Sequence, residues 1–246
     1  MAESVTIMYP GHRQMPSQML DDAERYGVST VLQCKGAMAL LGSPGVAVVG
    51  SRHTPTEGIQ AAREISLHLV SRGMNIVSGY ARGVDQEAHN AALDAGGTTT
   101  MVLSYGIQRL AVGGLLASGL EDARCLAVSP FPPRSGWSAG AAMARNKLVC
   151  LLSKAVVVVA SGRKRDASGR MSGTFHAAES AREMGRQVFV LDPSYFDEPP
   201  EGNVALLRAG AVPIPPSYSS EYAPVLERIA GSRPDPPIQP CLFQDE

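Results

Sequence analysis

Val46-Ala47-Val48-Val49-Gly50-Ser51-Arg52 is an apolar run that ends in a glycine, a hydroxyl and a guanidinium. A second apolar run closes in a related way, through Ser78-Gly79-Tyr80-Ala81-Arg82-Gly83-Val84-Asp85. Between them Ile59, Ala62, Ile65 and Leu69 recur at helical spacing, and Gly73 follows. Short β-branched runs separated by an amphipathic helix predict two βα units in tandem. Each turn then lies after the carboxyl end of a strand and before a helix N-terminus, where unpaired N–H groups and the helix dipole favour anions. Each turn also carries an arginine, Arg52 or Arg82.

Outward from this centre the same alternation continues. Strands are expected at 74–78, 98–103, 125–129, 155–160, 187–191 and 211–214, with helices at 83–95, 114–122, 139–153, 171–185, 202–210 and 221–229. The run at 155–160 has no polar alternation, as befits a central parallel strand buried on both faces. Thr54, Pro55 and Glu57 predict a capping box with Pro55 in the first helical position. Upstream, 1–16 reads as an irregular lead-in, 17–27 as a helix ended by Gly27, and 29–33 as a short strand. The expected fold is α/β, an extended Rossmann-like, doubly wound, mostly parallel sheet. Its expected divisions are a lead-in over 1–45 packed on the core, the Rossmann-like domain over 46–215, and a short helix with a Pro-rich disordered tail over 216–246.

The chain has 246 residues and a formal net charge of −1, so no global positive field advertises nucleic acid and any anion site must be built locally. Cys34, Cys125, Cys150 and Cys241 are scattered without metal-ligand spacing, so no metal is expected and reduced cysteines fit a cytoplasmic setting. No apolar run reaches membrane-spanning length. A strict Gly-x-Gly-x-x-Gly fingerprint and a Walker lysine motif are both absent, so no dinucleotide or ATP cofactor is expected.

Four constellations carry candidate chemistry. Gly50, Ser51 and Arg52 suit a phosphate, or an ordinary tight turn with a surface arginine. Gly79, Tyr80, Arg82 and Gly83 form a second such turn; Asp85 and His89 follow at i, i+4, as an acid/base pair or as a cap that orients a structural histidine. Arg145, Asn146 and Lys147 lie on one helix, where two bases two positions apart point in different directions. Ser172, Gly173 and Thr174 open a helix after the basic loop 161–170, with Glu179 one turn on as a general base or an exposed carboxylate.

In order and spacing these motifs resemble the DprA/Smf (DNA-processing protein A) family. The resemblance runs from Leu32 to Pro213 and includes Ala-Arg-Asn-Lys-Leu and the closing Gly202-x-x-x-Leu206-Leu207-x-x-Gly210-Ala211. It implies a non-catalytic homodimer that binds single-stranded DNA and hands it to a RecA-type recombinase during DNA uptake, with no membrane association. Carried over by position, Gly50, Ser51 and Arg52 hold backbone phosphate. Gly79, Arg82, Gly83, Arg145, Asn146 and Lys147 extend a positive groove, and Ser172, Gly173 and Thr174 add N–H donors. The family often has an aromatic before the Arg-Asn pair; here the stretch reads Ala141-Ala142-Met143-Ala144, leaving Tyr80, Phe131 or Trp137 as candidates for base stacking. Ser129-Pro130 stands where the family has Ser-Glu, and the helical and winged-helix domains of longer members do not fit, so a minimal core is expected. The alternative is a nucleotide-binding sensor or nucleotide phosphoribohydrolase of a related fold group, using Glu179 and Arg145. Those enzymes carry Pro-Gly-Gly-x-Gly-Thr-x-x-Glu, which Met171-Ser172-Gly173-Thr174 and Glu179 match poorly. A pure interaction scaffold would hold no phosphate at all.

Overall fold

The computed structural model describes residues 5–165 and 168–233. One nine-stranded sheet carries the chain, in the order β1-β2-β6-β5-β4-β3-β7-β8-β9. Its strands are β1 (Thr6–Met8), β2 (Leu32–Gly36), β3 (Gly45–Val49), β4 (Asn75–Ser78), β5 (Thr99–Val102), β6 (Cys125–Ser129), β7 (Ala155–Val158), β8 (Gln187–Leu191) and β9 (Val212–Ile214). From β6 to β9 every neighbour is parallel, and β2 and β1 add an antiparallel edge.

Side chains alternate across this sheet because the strand period is two. Ala47, Val49, Val156 and Val158 therefore enter one core, and Val46, Val48, Ala155 and Val157 the other. Helices α1 (Ser17–Tyr26), α5 (Ala139–Leu151), α6 (Gly173–Glu183) and α7 (Glu201–Arg208) cover the first face. Helices α2 (Thr56–Ser71), α3 (Val84–Asp94) and α8 (Tyr222–Gly231) cover the second, where α4 (Gly114–Glu121) packs its Leu116 and Leu120 against Leu93 of α3. Each fully buried Val, Leu or Ile contributes about 1.5–3 kcal/mol. Stability is thus concentrated in the sheet, and its loop edge is left to function.

Three elements depart from the sequence reading. Within the expected irregular lead-in, β1 pairs antiparallel with β2, Thr6 opposite Cys34 and Met8 opposite Leu32. The strand expected at 29–33 lies three residues later, because pairing with β6 sets its register (Gln33 opposite Ser129) while Ser29 Oγ turns the chain by donating to the Val31 carbonyl. The capping box does not form: Pro55 is itself the N-cap, its carbonyl accepts from Gly58 and Ile59, and the buried Thr54 Oγ1 packs against Gly58. The Pro-rich tail from 234 onward lies outside the described residues, as does Cys241.

The strand order fixes where a ligand can sit. From β3 the chain winds through β4 and β5 to β6; from β7 it winds the other way, through β8 to β9. The loops leaving β3 and β7 lead to helices on opposite faces, α2 and α6, and part at the carboxyl edge. Open α/β sheets bind ligands at such a reversal.

Candidate nucleic-acid interface

A cleft of about 680 Å³ opens at this reversal. Gly50, Ser51, Arg52 and His53 of the β3 loop form one wall, and Gly162, Arg163 and 170–174 of the β7 loop form the other. Asp85, Arg145 and Asn146 lie at its buried end, with Trp137, Ala142 and Met143 along the rim. Four arginines (Arg52, Arg145, Arg163, Arg170) line the cleft, against the single carboxylate of Asp85 among the described residues. A chain with net charge −1 has thus concentrated positive charge at one place.

The β3 loop is shaped by its own hydrogen bonds. Ser51 N–H donates to the Ala160 carbonyl at 2.8 Å, which ties the loop to the end of β7. Ser51 Oγ donates to the His53 carbonyl and accepts from His53 N–H, both at 3.1 Å. Its polar groups are therefore committed to the turn, and what this loop offers an anion is Arg52. That guanidinium is exposed and lies 5.4 Å from the centre of the Trp137 ring, a cation–π contact. Trp137 is 55% exposed, so the ring leaves room for a further stacking partner.

Across the cleft, Ser172 caps α6 by accepting from Phe175 N–H. The first N–H groups of a helix have no intrahelical acceptor, so those of Gly173 and Thr174 point outward at the positive end of the helix dipole. Asn146 steadies this corner by donating to the Gly173 carbonyl at 2.8 Å. Two bases of the same loop are engaged nearby, Arg163 with Glu201 at 2.5 Å and Lys164 with Glu179 at 2.6 Å.

At the buried end Arg145 is only 6% exposed. It fits because Gly79 has no side chain: a Cβ there would land on its guanidinium. Burial lowers the Arg145 pKa and the facing Asp85 charge opposes the fall, so the guanidinium stays charged. Burial likewise raises the Asp85 pKa above the usual carboxylate value, and Arg145 with the neighbouring N–H groups offsets only part of that rise. Asp85 does not orient His89. His89 Nδ1 pairs with Thr99 Oγ1 at 2.6 Å, and Thr99 gives its only proton to the Ile76 carbonyl, so Nδ1 carries the histidine's proton. Burial holds the His89 pKa down at about 3, leaving a neutral structural ring.

The chain is similar to known proteins. The family described as DNA recombination-mediator protein A matches residues 6–222. The chain belongs to that family. It is 34% identical over 200 residues to Protein Smf of Escherichia coli, covering 80% of this chain and 50% of that protein. DNA processing protein A of Streptococcus pneumoniae superposes with a TM-score of 0.71 at 28% identity, covering 86% of this chain and 71% of that one. DNA processing protein A of Helicobacter pylori, solved for its single-stranded DNA binding mode, also gives 0.71 at 25% identity, covering 92% and 97%. The chain spans about half the length of the curated relatives it matches.

In this member of the family, the structure gathers Gly50, Ser51, Arg52, Arg145, Asn146, Ser172, Gly173, Thr174 and Trp137 around one cleft. The rest of the expected set lies elsewhere. Lys147 points away on α5, its Nζ donating to the Tyr26 carbonyl at 3.1 Å. Arg82 is exposed outside the cleft. Gly79 and Gly83 are braces: Gly83 has φ 77°, and a Cβ there would meet the Ser51 carbonyl at 2.6 Å. Tyr80 adopts φ 55°, donates to the Ala111 carbonyl and packs against His89, so its ring is spent on the scaffold. Glu179 is held by Lys164 and does not line the cleft. Arg163 and Arg170 belong to a loop whose basic character is plain in the sequence, but which of its bases turn inward is not. Their position after a doubly buried strand is the signal that places them at the ligand edge.

Among the described residues no cluster of His, Cys, Asp and Glu suits a metal ion, and no helix is long and apolar enough to cross a membrane. Cys34, Cys125 and Cys150 are buried and form no disulfide among the described residues, and burial pushes the Cys34 and Cys150 thiols up to about 12.

Proposed function

We propose that this cleft holds the sugar-phosphate backbone of single-stranded DNA and that the chain performs no covalent chemistry on it. One observation carries the reading: Arg52, Arg145 and Arg170, beside the Glu201-paired Arg163 and an outward-facing helix N-terminus, converge on one crevice of a chain whose net charge is −1. Arginine forks suit phosphate oxygens, and backbone contacts tolerate any sequence. Trp137, stacked on Arg52 at the rim, takes the place of the aromatic missing before Arg145 and offers a base its exposed face.

The structural relative from Helicobacter pylori, described for binding single-stranded DNA, supports this reading. On the same footing the chain acts as a cytoplasmic recombination mediator, a homodimer that passes its strand to a RecA-type recombinase. Fluorescence anisotropy of labelled oligo-dT tests the binding step, with duplex DNA and AMP as competitors. Binding that resists both competitors is expected. Displacement by AMP, together with release of free base from it, would establish the nucleotide hydrolase instead.

A further inference from the structure

Asp85 is a paradox in an anion cleft. A carboxylate beside bound phosphate opposes binding, and more strongly where water is excluded. Yet Asp85 is 4% exposed, lines the cleft, and is the single acid to do so among the described residues.

Its contacts supply a reason. Asp85 Oδ2 accepts from Ala81 N–H at 3.3 Å, and the N–H of Gly50 also faces the carboxylate, while Ser78 spends its proton on the Val48 carbonyl. The two N–H groups come from the first residue of the β3 loop and from the β4 turn, so one side chain joins two segments of the cleft base. The opposite charge facing it is Arg145, seated over Gly79, whose buried Nε–H has no hydrogen-bond partner among the described residues. A guanidinium taken out of water is retained only where a fixed counter-charge compensates it.

We propose that Asp85 is a positioning residue: it does not touch DNA, but it fixes Arg145 at the buried end of the cleft and holds the Gly50 turn in register beside it. Arg145 is then kept in place, at the buried end of the cleft, for a phosphate oxygen. This inference rests on the reading of the cleft as a single-strand site. It inverts the electrostatic expectation, since removing a negative charge from this anion site should weaken it.

The test measures oligo-dT affinity by anisotropy for the unaltered chain, Asp85→Asn, Arg145→Gln and the double variant, with thermal melts to follow the fold. Asp85→Asn is expected to weaken binding about tenfold in the normal background and to add nothing once Arg145 is Gln, the mark of two residues acting as one. Equal or tighter binding by Asp85→Asn overturns the proposal and leaves the single-strand reading intact. So does an equal loss in both backgrounds, which would make Asp85 a general element of the fold. Absence of binding by the unaltered chain removes the single-strand reading, and this inference with it. Should Asp85→Asn fail to fold, Asp85→Glu keeps both charges and displaces the carboxylate by one methylene. It is expected to cost about two- to threefold, again in the normal background alone; no cost there overturns the proposal.

Discussion

The turns after β3 and β4 look like duplicates in the sequence, each an apolar strand followed by glycine, a small polar or aromatic residue and an arginine. In the fold they do opposite work. The β3 turn sits at the strand-order reversal, and its arginine faces the cleft. The β4 turn lies one strand away, where no loop parts from its neighbour. Its Gly79 makes room for Arg145, its Gly83 packs on the Ser51 carbonyl, and its Arg82 faces solvent outside the cleft. A glycine–arginine turn becomes an anion site through its place in the sheet order, more than through its own residues.

This contrast can be broken most forcefully from the bracing side. Gly79→Ala adds a methyl where the Arg145 guanidinium lies and should expel it. The expected loss of oligo-dT affinity is about 30-fold, comparable to that of Arg145→Ala. Arg145→Ala also strands a buried carboxylate and should cost about 3 kcal/mol of stability, seen as a lower denaturant midpoint. Next in size, Arg52→Ala should weaken binding about tenfold, whereas Arg82→Ala should change it by less than about twofold despite the same change in net charge. The aromatic pair sharpens the same point: Trp137→Ala should cost about fivefold in affinity, and Tyr80→Phe nothing measurable in the same titration. Lys147→Ala, on α5 but turned to Tyr26, should leave affinity within about twofold.

A separate effect concerns pH. The folded-state pKa of His89 is about 3, well below the usual histidine value, so the unfolded chain binds its proton first as the medium is acidified. The stability it contributes is complete above about pH 6.5 and declines as pH falls towards 3, by at most about 1.4 kcal/mol per unit. His89→Gln should flatten this part of the profile in urea titrations at stepped pH.

Much of this is legible in the sequence. Seven parallel strands announced themselves because strands buried on both faces read as unbroken apolar runs, Ala155 to Val158 most plainly. β1 did not, since three residues paired through a distant strand leave no period to detect. The site was legible as a set of motifs and not as a set of directions. Arg145 and Lys147 are adjacent candidates on one helix, and only packing against Gly79 and Tyr26 decides which reaches the cleft. The same holds for Ser51, whose hydroxyl looked like a phosphate ligand and is spent on His53.

The measurement that bears most directly on the central claim is the salt dependence of oligo-dT affinity for the unaltered chain, Arg52→Ala and Arg82→Ala. Each phosphate contact on a single strand contributes about −0.7 to the slope of log affinity against log salt. The slope should become shallower by about that amount for Arg52→Ala and stay unchanged for Arg82→Ala. Equal flattening by both variants, or a slope that neither alters, would contradict a cleft confined to the β3–β7 reversal.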